Sequence, residues 1–96
     1  MTKPKRIIIE TSQYRKDYKK AIKQGKDTKL LNKIINMLAC DEPLPKKYKN
    51  HQMKGQDTKY RELHIQKDWM LIYQKTDNGK LILILQRLGS HSEFGY

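Results

Sequence analysis

Tyr60 to Phe94 reads YRELHIQKDWMLIYQKTDNGKLILILQRLGSHSEF, in which three apolar runs are separated by two turn signals. Runs of β-branched, aromatic and aliphatic residues bounded by turn residues are typical of strands. The second turn contains Asn78-Gly79, a strong hairpin signal because both residues tolerate a positive φ. The stretch therefore predicts an antiparallel meander of three strands, with chemically versatile polar residues at its turns and ends.

The residues before the meander predict one strand and two helices. Arg6 to Glu10 contains three consecutive isoleucines, a pattern that favours a short strand buried on both faces. Apolar residues recur at helical spacing from Gln13 to Gln24, after Thr11 as a cap, and from Thr28 to about Cys40, after Asp27 as a cap. The order of strand, two helices and three strands predicts the α+β class, with both helices on one face of the sheet.

Chain length and net charge limit the possible functions. The 96 residues fit one domain, 1–96, with Met1 to Lys5 as a loose basic tail and Lys46 to Lys59 as a polar loop. Lys and Arg number 21 against 10 Asp and Glu, which gives a net charge of +11. Such a charge attracts polyanions and speeds encounter with them. Nucleic acid, or a large assembly made of it, is the first expected partner, and an acidic protein is the second.

The single cysteine and the short apolar runs indicate the compartment. Cys40 has no second cysteine to pair with, so the chain has no internal disulfide, and we expect no disulfide-linked partner. The longest apolar run, Leu81 to Leu85, has five residues, too few to span a membrane. Ile7 to Ile9 is too short for the apolar region of a signal peptide. We therefore expect a cytoplasmic protein without membrane contact.

Five residues are candidates for chemistry: His51, His64, Asp68, Arg87 and His91. Any one histidine in a strand is more often structural than catalytic, but a set of titratable groups with a fixed cation favours RNA cleavage. The tight turn after the first meander strand predicts that Asp68 lies near His64 and orients it or favours its charged form. A zinc site is the competing interpretation, and it is weak because no two histidines have close helical spacing.

RNA can be cut without a metal ion when a base removes the proton of a 2′-OH, which then attacks the adjacent phosphate. Imidazole suits both proton transfers, because its ordinary pKa of about 6.5 lies near working pH. A guanidinium such as that of Arg87 suits the phosphorane, since it stays charged and binds two phosphate oxygens.

Several motifs resemble those of the YafQ-type toxins of the RelE/ParE toxin–antitoxin superfamily. They are HQMKG at 51–55, YRELHI at 60–65, DWMLIY at 68–73 and RLGSH at 87–91, preceded by PLP at 43–45. The resemblance runs from about Ser12 to the C-terminus. It implies a RelE-like, microbial-RNase-like fold and endonucleolytic cleavage of mRNA in the A site of a translating ribosome. It also implies inhibition by a cognate antitoxin, with no metal and no other cofactor.

The resemblance implies roles for individual residues as well. The matching His51, His64, Asp68 and His91 form the proton-transfer or orienting set, and Arg87 contacts phosphate. Substrate binding is predicted for three further residues, Lys54, Trp69 and Phe94.

The sequence departs from the family pattern at two places. Lys67 stands where relatives usually carry proline before the Asp-Trp pair, which predicts a looser turn at Asp68. The terminal aromatic Phe94 stands three residues past His91 rather than four, which leaves Phe94 or Tyr96 as the base-stacking residue. The alternative function is that of a non-catalytic member of the superfamily, such as a gyrase inhibitor or a ribosome-binding module.

Overall fold

The computed structural model describes residues 4–53 and 59–94, which form one five-stranded sheet and helices packed against it. The elements in chain order are β1 (Ile7–Glu10), α1 (Ser12–Lys23), α2 (Thr28–Ala39), a 3₁₀ turn (Lys46–Tyr48), β2 (His51–Gln52), β3 (Arg61–Gln66), β4 (Trp69–Thr76), β5 (Ile82–Gly89) and α3 (His91–Phe94).

The sheet has the strand order β1-β5-β4-β3-β2. Strands β3, β4 and β5 form the predicted antiparallel meander. The sheet as a whole is mixed, because β1 runs parallel to β5. The predicted loop 46–59 contains the 3₁₀ turn and also β2, whose two residues pair antiparallel with β3. A strand of this length has too few residues to show a period of two in the sequence.

The two long helices begin at the predicted caps. The Thr11 hydroxyl accepts the Tyr14 backbone N–H at 3.0 Å, and the Asp27 carboxylate accepts that of Leu30 at 3.1 Å. Their apolar faces cover one side of the sheet and form the core with its inward residues, which include Leu63, Leu71 and Leu85. Within residues 4–53 and 59–94, no helix is long and apolar enough to cross a bilayer.

Two predictions for the N-terminus are wrong. Ile7, Ile8 and Ile9 are 56%, 39% and 44% exposed, because β1 is an outer strand of the sheet and the helices cover its neighbour β5 more than β1 itself. The tail is not loose at its end, since the backbone N–H of Lys5 donates to the carbonyl of Ala39 at 2.9 Å. Residues 1–3 lie outside the described part of the chain.

The face of the sheet opposite α1 and α2, which we call the open face, carries the polar residues. Strand residues alternate between faces, so Glu62 and His64 lie on the open face while Leu63 and Ile65 join the core. A β-bulge changes this alternation in β5: Ile72 pairs with Arg87 and Tyr73 pairs with Leu85, which leaves Gln86 as an extra residue. Without the bulge, Arg87 would share the helix-facing side with Leu85.

Candidate active site

Three histidine rings lie next to one another at the open face. His51 belongs to β2, His64 to β3, and His91 is the first residue of α3. The ring centroids of His51 and His64 are 6.2 Å apart, and those of His64 and His91 are 5.9 Å apart. Residues separated by up to 40 positions in the chain therefore contribute to one group of neighbouring rings.

The ring of His51 has a fixed orientation. Its Nδ1 lies 2.6 Å from the backbone carbonyl oxygen of Lys49, which closes the 3₁₀ turn with a left-handed φ of 48°. A carbonyl oxygen only accepts, so Nδ1 carries the proton. In the neutral ring, the lone pair is consequently on Nε2.

Asp68 holds His91 in a similar way. Asp68 stands in the β3–β4 turn with a φ of 53°, and its Oδ1 accepts the backbone N–H of His91 at 3.1 Å and the ring Nδ1 at 3.0 Å. The backbone hydrogen bond and then the side-chain one lower the pKa of the Asp68 carboxyl. The sequence predicted His64 as the partner of Asp68; the bonded partner in the structure is His91, because the start of α3 folds back over the turn.

His64 is the most enclosed of the three histidines, with its side chain 25% exposed against 49% for His51 and 46% for His91. Burial lowers the pKa of His64, and the positive charge of Lys49 and the neighbouring His51 and His91 lower it further, while Glu62 opposes them. The lowered pKa favours the neutral form of the His64 ring, which can accept a proton.

Glu62 is a site residue that the sequence reasoning missed. It is 5% exposed on the open face, and its Oε1 lies 3.6 Å from His51 Nε2 and 4.0 Å from His64 Nε2. It is the cross-strand partner of His51 and stands two residues before His64. The available signal was this i, i+2 spacing to His64, which puts two residues of a strand on the same face.

Arg87 lies in the same cross-strand row as His51. His51 pairs with Glu62, Glu62 pairs with Ile72 in β4, and Ile72 pairs with Arg87 in β5. Its Nε donates to Asp17 Oδ2 at 3.3 Å, and its guanidinium carbon lies 5.1 Å from the centroid of the Phe94 ring. Asp17 is buried and also accepts the backbone N–H of Leu88 at 3.0 Å. The cation is thus held between α1 and α3.

The predicted substrate-binding residues have different surroundings. Trp69 is 2% exposed and packs in the helix-side core, so little of its ring is accessible, and its role in substrate binding stays a prediction. Phe94 is partly exposed beside Arg87. Lys54 and Tyr96 lie outside the described residues. A cleft of about 450 Å³ next to His64 is bordered by other basic residues, namely Lys47, Lys49 and Lys67.

In residues 4–53 and 59–94, no three His, Cys, Asp or Glu side chains are arranged to hold a metal ion. The prediction that the reaction uses neither a metal nor another cofactor remains a prediction. The chemical capacity of the site rests on its histidines and on the carboxylates of Asp68 and Glu62.

Comparison with known proteins gives consistent matches. Residues 6–96 match a family model described as the bacterial toxin of a type II toxin–antitoxin system, YafQ. The mRNA interferase toxin YafQ of Escherichia coli K12 is 39% identical over 88 residues, which cover 91% of this chain and 92% of that relative.

Solved structures match over similar lengths. The toxin in a crystal structure of the E. coli DinJ–YafQ toxin–antitoxin complex has a TM-score of 0.86 at 36% identity, covering 96% of this chain and 99% of the other. A metal-bound toxin from Helicobacter pylori has a TM-score of 0.82 at 43% identity, covering 90% and 94%.

Proposed function

The chain belongs to the YafQ family of bacterial toxins, and from this premise we propose that it cleaves mRNA in the A site of a translating ribosome by metal-independent acid–base chemistry. It is the toxin of a type II toxin–antitoxin system and an endoribonuclease, and its partner is a cognate antitoxin. The dependence on the ribosome, the site residues and the roles given below are part of the proposal.

The observation that carries the mechanism is the group of three neighbouring histidines, in which successive ring centroids are 6.2 and 5.9 Å apart and two rings are fixed at Nδ1. Because Nδ1 is occupied by a hydrogen bond, Nε2 is the nitrogen that exchanges a proton with the substrate. His91 takes one proton-transfer role, and His64 or His51 takes the other.

The reaction needs two proton transfers. The base removes the proton from the ribose 2′-OH, and the 2′-oxygen attacks the adjacent phosphorus. The bond from phosphorus to the 5′-oxygen breaks, and the acid gives that oxygen a proton, which leaves a 2′,3′-cyclic phosphate and a 5′-hydroxyl. Arg87 binds the phosphate oxygens as negative charge accumulates, after exchanging part of its contact with Asp17 for the substrate.

The site is half-exposed, so we propose that the ribosome presents the mRNA to it in the required geometry. The side chains of His51, His91 and Asp68 are 49%, 46% and 59% exposed, which leaves much of the proton-transfer set open to solvent. The net charge of +11 favours docking on ribosomal RNA. This function places the protein in the cytoplasm, and residues 1–96 form its single toxin domain.

The test compares cleavage of one purified transcript with and without ribosomes. In the reaction with translating ribosomes we expect cuts within the codon that occupies the A site. We expect little cutting of naked RNA. His91→Ala should abolish cleavage but still co-sediment with ribosomes, whereas Lys33→Ala, an exposed change on α2, should behave as the parent protein. Efficient cutting of naked RNA would contradict ribosome dependence. Growth arrest by His91→Ala without any cleavage would favour the non-catalytic alternative.

A further inference from the structure

We propose that a pocket on the open face binds the base of the mRNA nucleotide next to the cleaved phosphate. The pocket has a volume of about 180 Å³, and we call it the bulge pocket. The side chains that line it are Met53, Tyr60, Ile72, Gln86 and Arg87. This inference rests on the proposed function and names the residues that determine which base stands beside the cut.

The β-bulge in β5 brings two neighbouring side chains to this pocket. Consecutive residues of a regular strand point to opposite faces of the sheet, so Gln86 and Arg87 would not otherwise share a site. The bulge leaves Gln86 as an extra residue, and both side chains line the pocket. The Thr11 hydroxyl donates to the Gln86 carbonyl at 2.9 Å, which ties the backbone of the bulge to the start of α1. An amide and a cation therefore lie side by side.

The lining of the bulge pocket suits a flat ring with polar edges. Ile72 is 7% exposed, while Met53 and Tyr60 are partly exposed and accessible to a ligand. Aromatic and apolar side chains pack against the faces of unpaired bases, and amides hydrogen-bond to base edges. The Gln86 amide offers both a donor and an acceptor, so it can distinguish one base edge from another. A bare phosphate would have no use for the apolar wall.

The bulge pocket also lies in the required place relative to the histidines. Arg87 belongs both to the pocket and to the cross-strand row of His51. Along the strand axis, the row of Arg87 lies between His64 and Tyr60. An RNA strand whose phosphate contacts Arg87 can therefore place that phosphate towards the histidine rings and the adjoining base against Tyr60.

The first measurement uses the free protein and NMR of its methionine and isoleucine methyl groups. The probes are the 3′- and 5′-monophosphates of the ribonucleosides, and the base-free controls are ribose 5-phosphate and inorganic phosphate. We expect the nucleotides, but neither base-free probe, to shift the methyl signals of Met53 and Ile72. Tyr60→Leu should need about tenfold more nucleotide for the same shift, and Tyr60→Phe should restore the parental response. Far-UV circular dichroism checks that each variant is folded.

The second measurement is cleavage on ribosomes of a transcript library with every codon in the A site. Gln86→Ala should make the cuts nearly independent of the base at one position beside the cut. Gln86→Glu should shift the preference at that position towards bases that offer donors, such as the cytosine amino group, because a carboxylate only accepts. Tyr60→Leu should raise KM about tenfold for every base and leave kcat nearly unchanged. The matched control Gln74→Ala, at a partly exposed position of β4 outside the pocket, should keep the parental preference.

The two measurements separate this inference from the proposed function. Equal shifts with inorganic phosphate, or no shift with any nucleotide, would overturn the inference even if the parent protein cleaves mRNA. A parental base preference in both Gln86 variants would also overturn it, because the amide would then not contact the base. If nucleotides shift Met53 and Ile72 but the parent protein cleaves nothing on ribosomes, the proposed function fails and the base-binding pocket stands.

Discussion

The Asp68 carboxylate holds His91 at two points, since its Oδ1 accepts both the backbone N–H at 3.1 Å and the ring Nδ1 at 3.0 Å. These hydrogen bonds join the β3–β4 turn to the start of α3, elements that are 23 residues apart in the chain. The orientation of one candidate catalytic ring therefore depends on a turn whose backbone has a left-handed conformation.

Asp68→Asn should keep the turn but reduce cleavage. Asparagine tolerates the φ of 53° at this position, so we expect a folded protein. The amide weakens the two hydrogen bonds that orient His91, and we expect kcat to fall by about tenfold or more. Lys33→Ala, at an exposed position of α2, is the control, and cleavage on ribosomes is the measurement. Parental activity in Asp68→Asn would remove Asp68 from the site.

The lowered pKa of Asp68 also predicts that the folded protein loses stability at acidic pH. Its pKa is lowered in the folded protein by the backbone and ring hydrogen bonds from His91. A lowered folded pKa means that the contribution to stability is present above the unfolded value of about 3.9 and is lost as pH falls through the folded value. Urea midpoints of the parent and Asp68→Asn should therefore differ at pH 7 and converge at acidic pH.

The contacts of the buried Asp17 predict a clear loss of folding stability when this residue is replaced. It is 8% exposed and accepts hydrogen bonds from the Leu88 backbone N–H at 3.0 Å, Arg87 Nε at 3.3 Å and Gln13 Nε2 at 3.0 Å. Asp17→Ala leaves a buried N–H unpaired, so the free energy of unfolding should fall by roughly 1–3 kcal/mol. Lys16→Ala, at an exposed position of α1, should stay within about 0.5 kcal/mol of the parent in urea denaturation.

Asp41 predicts a second pH-dependent effect away from the site. Its Oδ1 lies 2.7 Å from both Arg6 Nε and Lys75 Nζ, and hydrogen bonds from Arg6 and then Lys75 lower the Asp41 pKa to about 2. The stabilisation is present above the unfolded value of about 3.9 and is lost as pH falls towards 2. Asp41→Asn should lower the urea midpoint at pH 7 and by much less at pH 2. The control is Glu42→Gln, at an exposed neighbouring position, and an equal loss at both values would contradict the charge-based explanation.

Local chemistry made part of the fold predictable. Asp27 caps α2 where expected, and Asn78-Gly79 lies between β4 and β5 as a hairpin turn, because capping and positive φ depend on a few adjacent residues. The burial of Ile7 to Ile9 was mispredicted because an apolar triplet does not reveal whether its strand lies inside the sheet or at its edge.

The site was predictable in its residue types and less so in its pairings. The resemblance grouped His51, His64 and His91 in one proton-transfer set, but the Asp68–His91 bond depends on how α3 folds back. The bulge at Gln86, which puts Arg87 on the open face, depends on pairing between β4 and β5 and has no local signal of its own. Glu62 was missed because its proximity to His51 results from a two-residue strand.

Arg87 predicts a test that separates phosphate binding from proton transfer. Arg87→Ala should reduce cleavage and also weaken binding of the mRNA–ribosome complex, since it removes a phosphate contact, whereas His91→Ala should affect cleavage alone. Arg87→Lys keeps the charge but loses the planar fork, so we expect binding near the parental level with reduced kcat.

The measurements for the Arg87 variants are cleavage mapping and ribosome co-sedimentation of each protein. The contact of Arg87 with Asp17 requires a control. Removing Arg87 also takes a partner from the buried Asp17, so a loss of function could arise from unfolding. The double variant Asp17→Asn with Arg87→Ala removes the uncompensated charge while the Asn side-chain oxygen still accepts from Leu88. If the double variant regains the stability of the parent but not its cleavage, the defect lies in phosphate binding. If cleavage returns with stability, Arg87 acts through the fold, and its assignment to the phosphate is wrong.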